Sequence, residues 1–262
     1  MEAGPADSND YIHIPATFPF LFKTPLDWNY TSEPQTALNG GTLYVPRGKV
    51  FGGSSSINAM IYQRGHASTY DTWGETNPGW SYADVLPMFK RSESNSRGES
   101  AAHGGSGPLN VCDLNDPNPI TIAMLEASKQ AGYAMNFDFN DGDQEGIGMY
   151  QVTQKNGRRE SAAVSYLHPA IDAGRLTAQA DAIVLKIIVT NGRATGVKFL
   201  ADGKEHTVKA RKEIILSGGT INSPQVLMIS GIGPKAHLKE HGINVLKDLP
   251  GVGQNLQDHF MM

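Results

Sequence analysis

Apolar positions between residues 183 and 216 follow two different rhythms. Residues 183–190 (IVLKIIVT) are a β-branched run; Asn191-Gly192 follows, residues 194–200 return, Asp202-Gly203 turns again, and residues 206–210 pair back. Asn-Gly and Asp-Gly tolerate the positive φ that a two-residue hairpin needs. An antiparallel β-meander is therefore predicted over residues 176–216. Its last part, Ile214-Ile215-Leu216 within residues 212–216, is continuously apolar, as expected of a parallel strand buried on both faces. Ser217-Gly218-Gly219 follows, at the strand end where doubly wound folds place ligands. Ser223 and Pro224 read as the N-cap and first residue of a helix that Gly231 closes.

Helical spacing recurs upstream. Ser81 and Asp84 make a capping-box pattern before Val85, Leu86, Met88 and Phe89, and Pro87 should kink or shorten that helix. Residues 120–131 predict a helix stopped by Gly132, and residues 161–171 one interrupted by Pro169. Residues 150–154 alternate like a strand. Residues 11–45, rich in aromatics and proline, predict packed but irregular chain. Residues 92–108 are small, polar and glycine-rich, the pattern of a mobile surface loop. In DFNDGDQE (138–145) the glycine is fifth and Met149 occupies the twelfth position, so Asp141-Gly142 reads as a turn and not a calcium loop. Residues 248–259 read as a loop with an Asn-Leu turn.

Composition narrows the function classes. The 262 residues are 39% hydrophobic and 18% charged, ordinary for a globular chain. Twenty-two basic against 26 acidic residues give −4, which argues against nucleic acid. No apolar run reaches the roughly 20 residues of a membrane span. One cysteine, Cys112, excludes an internal disulfide and a cysteine metal cage, reads as a small core residue, and fits a reducing, cytoplasmic setting. Any targeting segment would have preceded Met1. Asn29-Tyr30-Thr31 matches a glycosylation acceptor by chance. The chain opens on MEAGP and stops at NLQDHFMM without a terminal helix or cap, so a fragment is expected.

The chemistry centres on residues 46–61, PRGKVFGGSSSINAMI. Gly52 and Gly53 precede three hydroxyls, Ser54, Ser55 and Ser56, and then an amide, Asn58. Glycine permits positive φ and close approach of a ligand, and the first amides of a helix face anions. Arg47 and Lys49 add positive charge upstream. A phosphate-bearing cofactor fits this stretch, and so does a glycine-serine surface turn. Glu2-Ala3-Gly4-Pro5 suits the carboxylate that meets ribose hydroxyls after the second strand of a dinucleotide-binding unit, although no G-x-G-x-x-G lies upstream. His237, Glu240 and His241 form H-x-x-E-H, a zinc-peptidase pattern on a helix. With no third ligand evident, a short solvated helix stopped by Gly242 is expected and no metal site.

Three blocks, GKVFGGSSSINAMIYQRGHASTYD, GGTINSPQVLMISGIG and DLPGVGQNLQDH, together resemble the glucose–methanol–choline (GMC) family of flavin oxidoreductases, in its choline-dehydrogenase-like branch. EAGP, GWSYADVLPMFKRSE and RRESAAVSYL fit as well; Phe51 departs from the usual aliphatic residue. The resemblance implies an α/β fold: an incomplete FAD-binding parallel sheet of dinucleotide type, an added antiparallel β-meander and part of a substrate domain. It divides the chain into an FAD-binding segment (1–60), a partial substrate or lid region (61–170) and a second FAD-binding segment with the meander (171–262). Carried over by position, Glu2 meets the adenosine ribose, Gly52, Gly53 and Ser54 the pyrophosphate, and Asn58, Ala59, Met60 and Ile61 run along the flavin. Val184 meets the adenine side through its backbone, and Gly218 is the glycine after the last parallel strand. Ile57 stands where some relatives carry a flavin-linked histidine, so the resemblance implies non-covalent FAD. It also implies oxidation of a small alcohol, choline-like or another primary alcohol, with the electron acceptor left open. None of the eight histidines matches the family's catalytic base, and His259 takes a structural role. The expectation is a piece inactive by itself, needing the missing N- and C-terminal parts, or a non-catalytic truncated product.

Overall fold

A computed structural model describes residues 1–258, so His259, the end of the DLPGVGQNLQDH block, lies outside the described residues. The described residues form two compact units, residues 5–178 and residues 1–4 with 179–258.

In residues 5–178, Asn9 caps the short helix α1 (Asp10–His13), and a 3₁₀ helix covers Pro15–Leu21. Strand β1 (Tyr30–Thr31) pairs antiparallel with β2 (Tyr44–Val45). A short 3₁₀ turn covers Thr36–Leu38, and the rest of this aromatic, proline-rich stretch is irregular, as its composition predicts. Ile12, Leu21, Leu26, Val50 and Ile57 pack into a buried cluster beneath it. Next come β3 (Ile61–Tyr62), α2 (Ala67–Thr76) and α3 (Tyr82–Ser92). Ser81 and Asp84 complete the expected capping box, but α3 runs through Pro87, which removes only one hydrogen bond from an eleven-residue helix. α4 (Pro119–Gln130) is capped by Asn118 and followed by Gly132 at φ +91°.

Residues 92–108 are not a free loop. β4 (Glu93–Asn95) pairs parallel with β5 (Leu109–Val111). Two of its glycines serve close packing: a Cβ on Gly104 would stand 1.8 Å from the Lys90 carbonyl oxygen, and one on Gly107 2.3 Å from the Ser92 carbonyl carbon. β6 (Gln151–Val152) pairs with β3, and β7 (Gln154–Lys155) turns through Asn156 and Gly157 into β8 (Arg158–Arg159). Pro169 does not break the next helix. A π-helical turn at Ala163–Leu167 leads directly into α5 (His168–Asp172), and the wider turn accommodates the residue that lacks an N–H.

The other unit is built on the predicted meander: β9 (Ile183–Thr190), β10 (Arg193–Ala201) and β11 (Lys204–Lys209), all antiparallel. Asn191, Gly192, Asp202 and Gly203 all take positive φ, the geometry expected of them. Residues 212–216 form no strand, and Ile215 is 80% exposed. A central strand needs ladder partners on both sides, and no described strand supplies one. Parallel pairing among the described strands joins β4 to β5 and β12 (Ile232–Gly233) to β13 (Lys247–Asp248), and an isolated parallel bridge joins Met135 to Ile147. The fold is mixed α/β, with the antiparallel meander as its largest sheet. α6 begins earlier than the Ser-Pro pair suggests, spanning Gly219–Ile229 with Gly218 at the N-cap and Pro224 inside. It packs on β9, where the Ile187 N–H donates to Ser230 Oγ at 2.8 Å. α7 (Lys235–Glu240) follows. No helix of the described residues is long and apolar enough to cross a membrane.

Candidate functional site

The glycine-serine segment is a tight left-handed turn followed by a 3₁₀ helix, Gly53–Ser56, with Gly52 (φ +87°) as its N-cap. Gly52 is required by space as well as by φ. A Cβ there would lie 2.4 Å from Ser56 Oγ and 3.2 Å from the Ala163 Cβ of the π-helical turn. Gly53 differs: its φ is +55°, and a Cβ would meet nothing within 4 Å. The segment thus has a locked inner side and an open outer side.

The inner side is held by side chains. Ser56 is buried and its hydroxyl donates to the Phe51 carbonyl at 2.6 Å. Ser55 Oγ donates to the Gly52 carbonyl at 2.6 Å and accepts from the Ala162 N–H at 2.9 Å. Ile57 is 2% exposed. Met60, also buried, takes φ +62°, and its carbonyl accepts from the Thr153 N–H at 2.8 Å.

The outer side carries Ser54, Asn58, Ala59 and Ile61, all exposed. Ser54 Oγ accepts from the Gly48 N–H at 3.1 Å, which leaves its own hydrogen free to point outward. The Asn58 side-chain oxygen accepts twice, from the Met60 N–H at 3.0 Å and from Arg159 at 2.8 Å. Those two bonds fix the amide, so its NH₂ is presented as a donor. Arg47 donates to the Pro46 carbonyl, and the Lys49 ammonium lies over the Trp28 ring at 5.1 Å from its centroid.

Arg159 is the residue that sequence reasoning missed. It is 1% exposed, yet among the described residues no carboxylate meets it. Nε donates to the Ile12 carbonyl at 2.7 Å; one terminal nitrogen donates to the carbonyls of Ser55 (3.1 Å) and Asn58 (2.7 Å); the other terminal nitrogen, Nη2, is buried without a partner. Burial pushes its pKa down to about 10. A buried cation behind the loop, and an outer face of hydroxyl, amide donor and an uncovered glycine, together suit a ligand with anionic and heteroaromatic parts. The RRESAAVSYL block that carries Arg159 was legible as family-like, but nothing in its spacing marked this position.

A second buried polar set braces residues 93–104. Arg64 pairs with Glu93 and donates to the Ala102 carbonyl at 2.7 Å. Glu93 also meets Asn95 (2.8 Å) and His103 Nδ1 (3.0 Å), and His103 Nε2 meets Asp138 at 2.8 Å. Gln151 joins Asn95 to Asp113. Burial would raise Asp113, but hydrogen bonds from Arg97 and Gln151 outweigh it and lower its pKa.

Glu2, Val184 and Gly218 belong to the other unit. Glu2 Oε1 accepts from the Gly4 N–H at 3.0 Å, and the Glu2 backbone bonds to Gln179 and Ala182, at the approach to β9. Val184 lies in β9 opposite Phe199, beside a register shift. Gly218 is exposed at the start of α6.

Comparison with known proteins gives a consistent picture. The GMC oxidoreductase family pattern matches residues 24–261. An oxygen-dependent choline dehydrogenase of Sinorhizobium fredii is 47% identical over 261 residues, covering 99% of this chain and 47% of that protein. The enzyme of the same name from Brucella anthropi is also 47% identical, with the same coverage. Among solved structures, pyridoxine 4-oxidase from Mesorbium loti matches with TM-score 0.90 and 30% identity over 95% of this chain and 50% of that one. An FAD-dependent oxidoreductase from Chaetomium thermophilum matches with TM-score 0.90 and 34% identity over 98% of this chain and 47% of that one. The chain spans about half the length of the curated relatives it matches.

Proposed function

The chain belongs to the GMC oxidoreductase family, and from that membership we propose that it forms part of the FAD site of a protein that oxidises a small alcohol. The observation that carries this reading is the two-sided 53–61 segment: its inner side is anchored by the Ser56 hydroxyl on the Phe51 carbonyl and by Arg159 on the Ser55 and Asn58 carbonyls, and its outer side shows an open glycine, a hydroxyl and an oriented amide donor.

FAD, when bound, supplies the two-electron acceptance that no side chain offers. The chain's own part is to bind and orient it. Gly53 and Ser54 would receive the pyrophosphate, with Gly52 shaping the turn. Asn58 would donate to the flavin's polar edge, while Ala59, Met60 and Ile61 line its path. Glu2 would accept from the ribose hydroxyls, Val184 would meet the adenine side through its backbone, and Gly218 would leave room beside the cofactor. Ile57 is aliphatic and buried, so the cofactor is held without a covalent bond.

The relatives named as choline dehydrogenases favour a choline-like primary alcohol as the substrate. The base that takes the hydroxyl proton is assigned to residues beyond this sequence. This chain alone therefore binds FAD weakly and does not turn over. The test is fluorescence titration of FAD with the purified chain, followed by choline and a dye acceptor. Weak quenching and an unbleached dye are expected. Bleaching that depends on choline would overturn the assignment of the base, and absence of quenching at any concentration would overturn the cradle.

A further inference from the structure

We infer that the end of α7 is a solvent-facing site for one divalent transition-metal ion, bound by His237, Glu240 and His241. This inference is independent of the flavin reading. The three residues stand at i, i+3 and i+4, which places them on one face of the helix. All three are exposed, and one ligand atom from each lies within 4.8 Å of the others. His237 Nδ1 and Glu240 Oε2 are 4.0 Å apart, and the two imidazoles meet edge-on with centroids 4.6 Å apart. Among the described residues none of the three spends its side chain on a hydrogen bond elsewhere. Ligand exchange for water is therefore their main loss on binding an ion.

The backbone beneath them is set in advance. Leu238, between the ligands in sequence, is fully buried and pins the helix to its unit. Gly242 (φ +68°) closes the helix, its N–H bonded to the Lys239 carbonyl at 3.0 Å, while the Ile243 N–H reaches back to the Leu238 carbonyl at 2.8 Å. That pair of bonds is the Schellman motif, and it fixes the His241 backbone although the residue follows the last helical position. Glu240, already part of the H-x-x-E-H pattern, is the third ligand: its carboxylate joins the imidazoles, where the peptidase pattern would use it as a base.

The donor set selects the ion. Two imidazoles and one carboxylate suit zinc, copper, nickel or iron(II), whereas calcium and magnesium require oxygen ligands. Exposure leaves the remaining coordination positions to water. An ion held only by the native backbone also stabilises this unit against unfolding.

The experiment is calorimetric titration of the chain, prepared without a histidine tag, with zinc chloride, paired with the electron paramagnetic resonance spectrum of bound copper(II). One equivalent is expected, with nitrogen hyperfine structure from two imidazoles. His237→Ala and His241→Ala should each weaken binding by about tenfold or more, and each should remove one nitrogen from the copper spectrum. Glu240→Gln should weaken binding less. His206→Ala, on β11, should change nothing. The three ligands are exposed, so circular dichroism should show each variant folded. Affinity and spectrum unmoved in both His237→Ala and His241→Ala, or no binding at millimolar zinc, would overturn the site.

Discussion

The guanidinium of Arg159 and the backbone N–H of Met60 converge on one atom, the side-chain oxygen of Asn58, at 2.8 and 3.0 Å. A flip would set the amide NH₂ against two N–H donors, so the orientation of an exposed group is decided by a buried one.

Arg159→Ala would leave the carbonyls of Ile12, Ser55 and Asn58 without their donor. Unmatched buried carbonyls and lost packing should together destabilise the 5–178 unit by about 3–5 kcal/mol. Arg159→Lys should recover only part, because an ammonium lacks the planar fork that reaches several acceptors. Urea unfolding would measure both, and a loss under about 1 kcal/mol for the alanine variant would show that the loop does not lean on this residue.

The two adjacent glycines should respond unequally. In Gly52→Ala the new methyl meets Ser56 Oγ and Ala163 at a φ of +87°; in Gly53→Ala it meets only open space at +55°. The left-handed conformation alone costs about 1–2 kcal/mol for alanine. Gly52→Ala should exceed Gly53→Ala by a further 1–3 kcal/mol or so through overpacking. Equal midpoints in urea would contradict the packing at Gly52.

Glu93 and Arg64 are both buried and paired. Glu93→Gln should destabilise by about 3–5 kcal/mol, since it leaves a guanidinium with no opposite charge. Glu93→Leu combined with Arg64→Met should be milder than the sum of the single changes, because no charge then remains buried. A purely additive double mutant would show that the two residues act separately.

Acid should weaken the 5–178 unit through Asp27. Burial would raise this carboxyl, but hydrogen bonds from Tyr44 and from the N–H groups of Asn29, Lys23 and Arg47 outweigh it and hold its pKa below the usual value. Tyr44 is correspondingly pushed up to about 12, by burial and then by its bond to Asp27. A carboxyl whose pKa is depressed by folding contributes stability above its unfolded value, near pH 4, and loses it as pH falls through the lower folded value. Tyr44→Phe should therefore raise the pH of acid unfolding. An unmoved acid midpoint would remove Asp27 from the account.

Much of this was legible in the sequence, for identifiable reasons. The meander and the Ser81–Asp84 capping box rest on short-range rules, and both formed where the residues placed them. Residues 212–216 read as a strand because they are apolar, but a ladder depends on neighbours that composition does not reveal. The 92–108 stretch read as mobile because glycine has two uses, and only the Lys90 carbonyl against Gly104 shows which applies. In the candidate site, the glycines and hydroxyls announced themselves. Arg159 did not, because its partners are backbone carbonyls that leave no mark on residue identity.

The bonds of Arg159 also bear on the order in which the molecule assembles. They join residues 101 to 147 positions apart along the chain, whereas each hairpin of the meander closes through a two-residue turn. Closing so long a loop carries an entropic penalty that near neighbours avoid, so contacts of this range consolidate late. During synthesis the glycine-serine turn leaves the ribosome about a hundred residues before its guanidinium does, and its cradle shape waits on the arrival of residue 159.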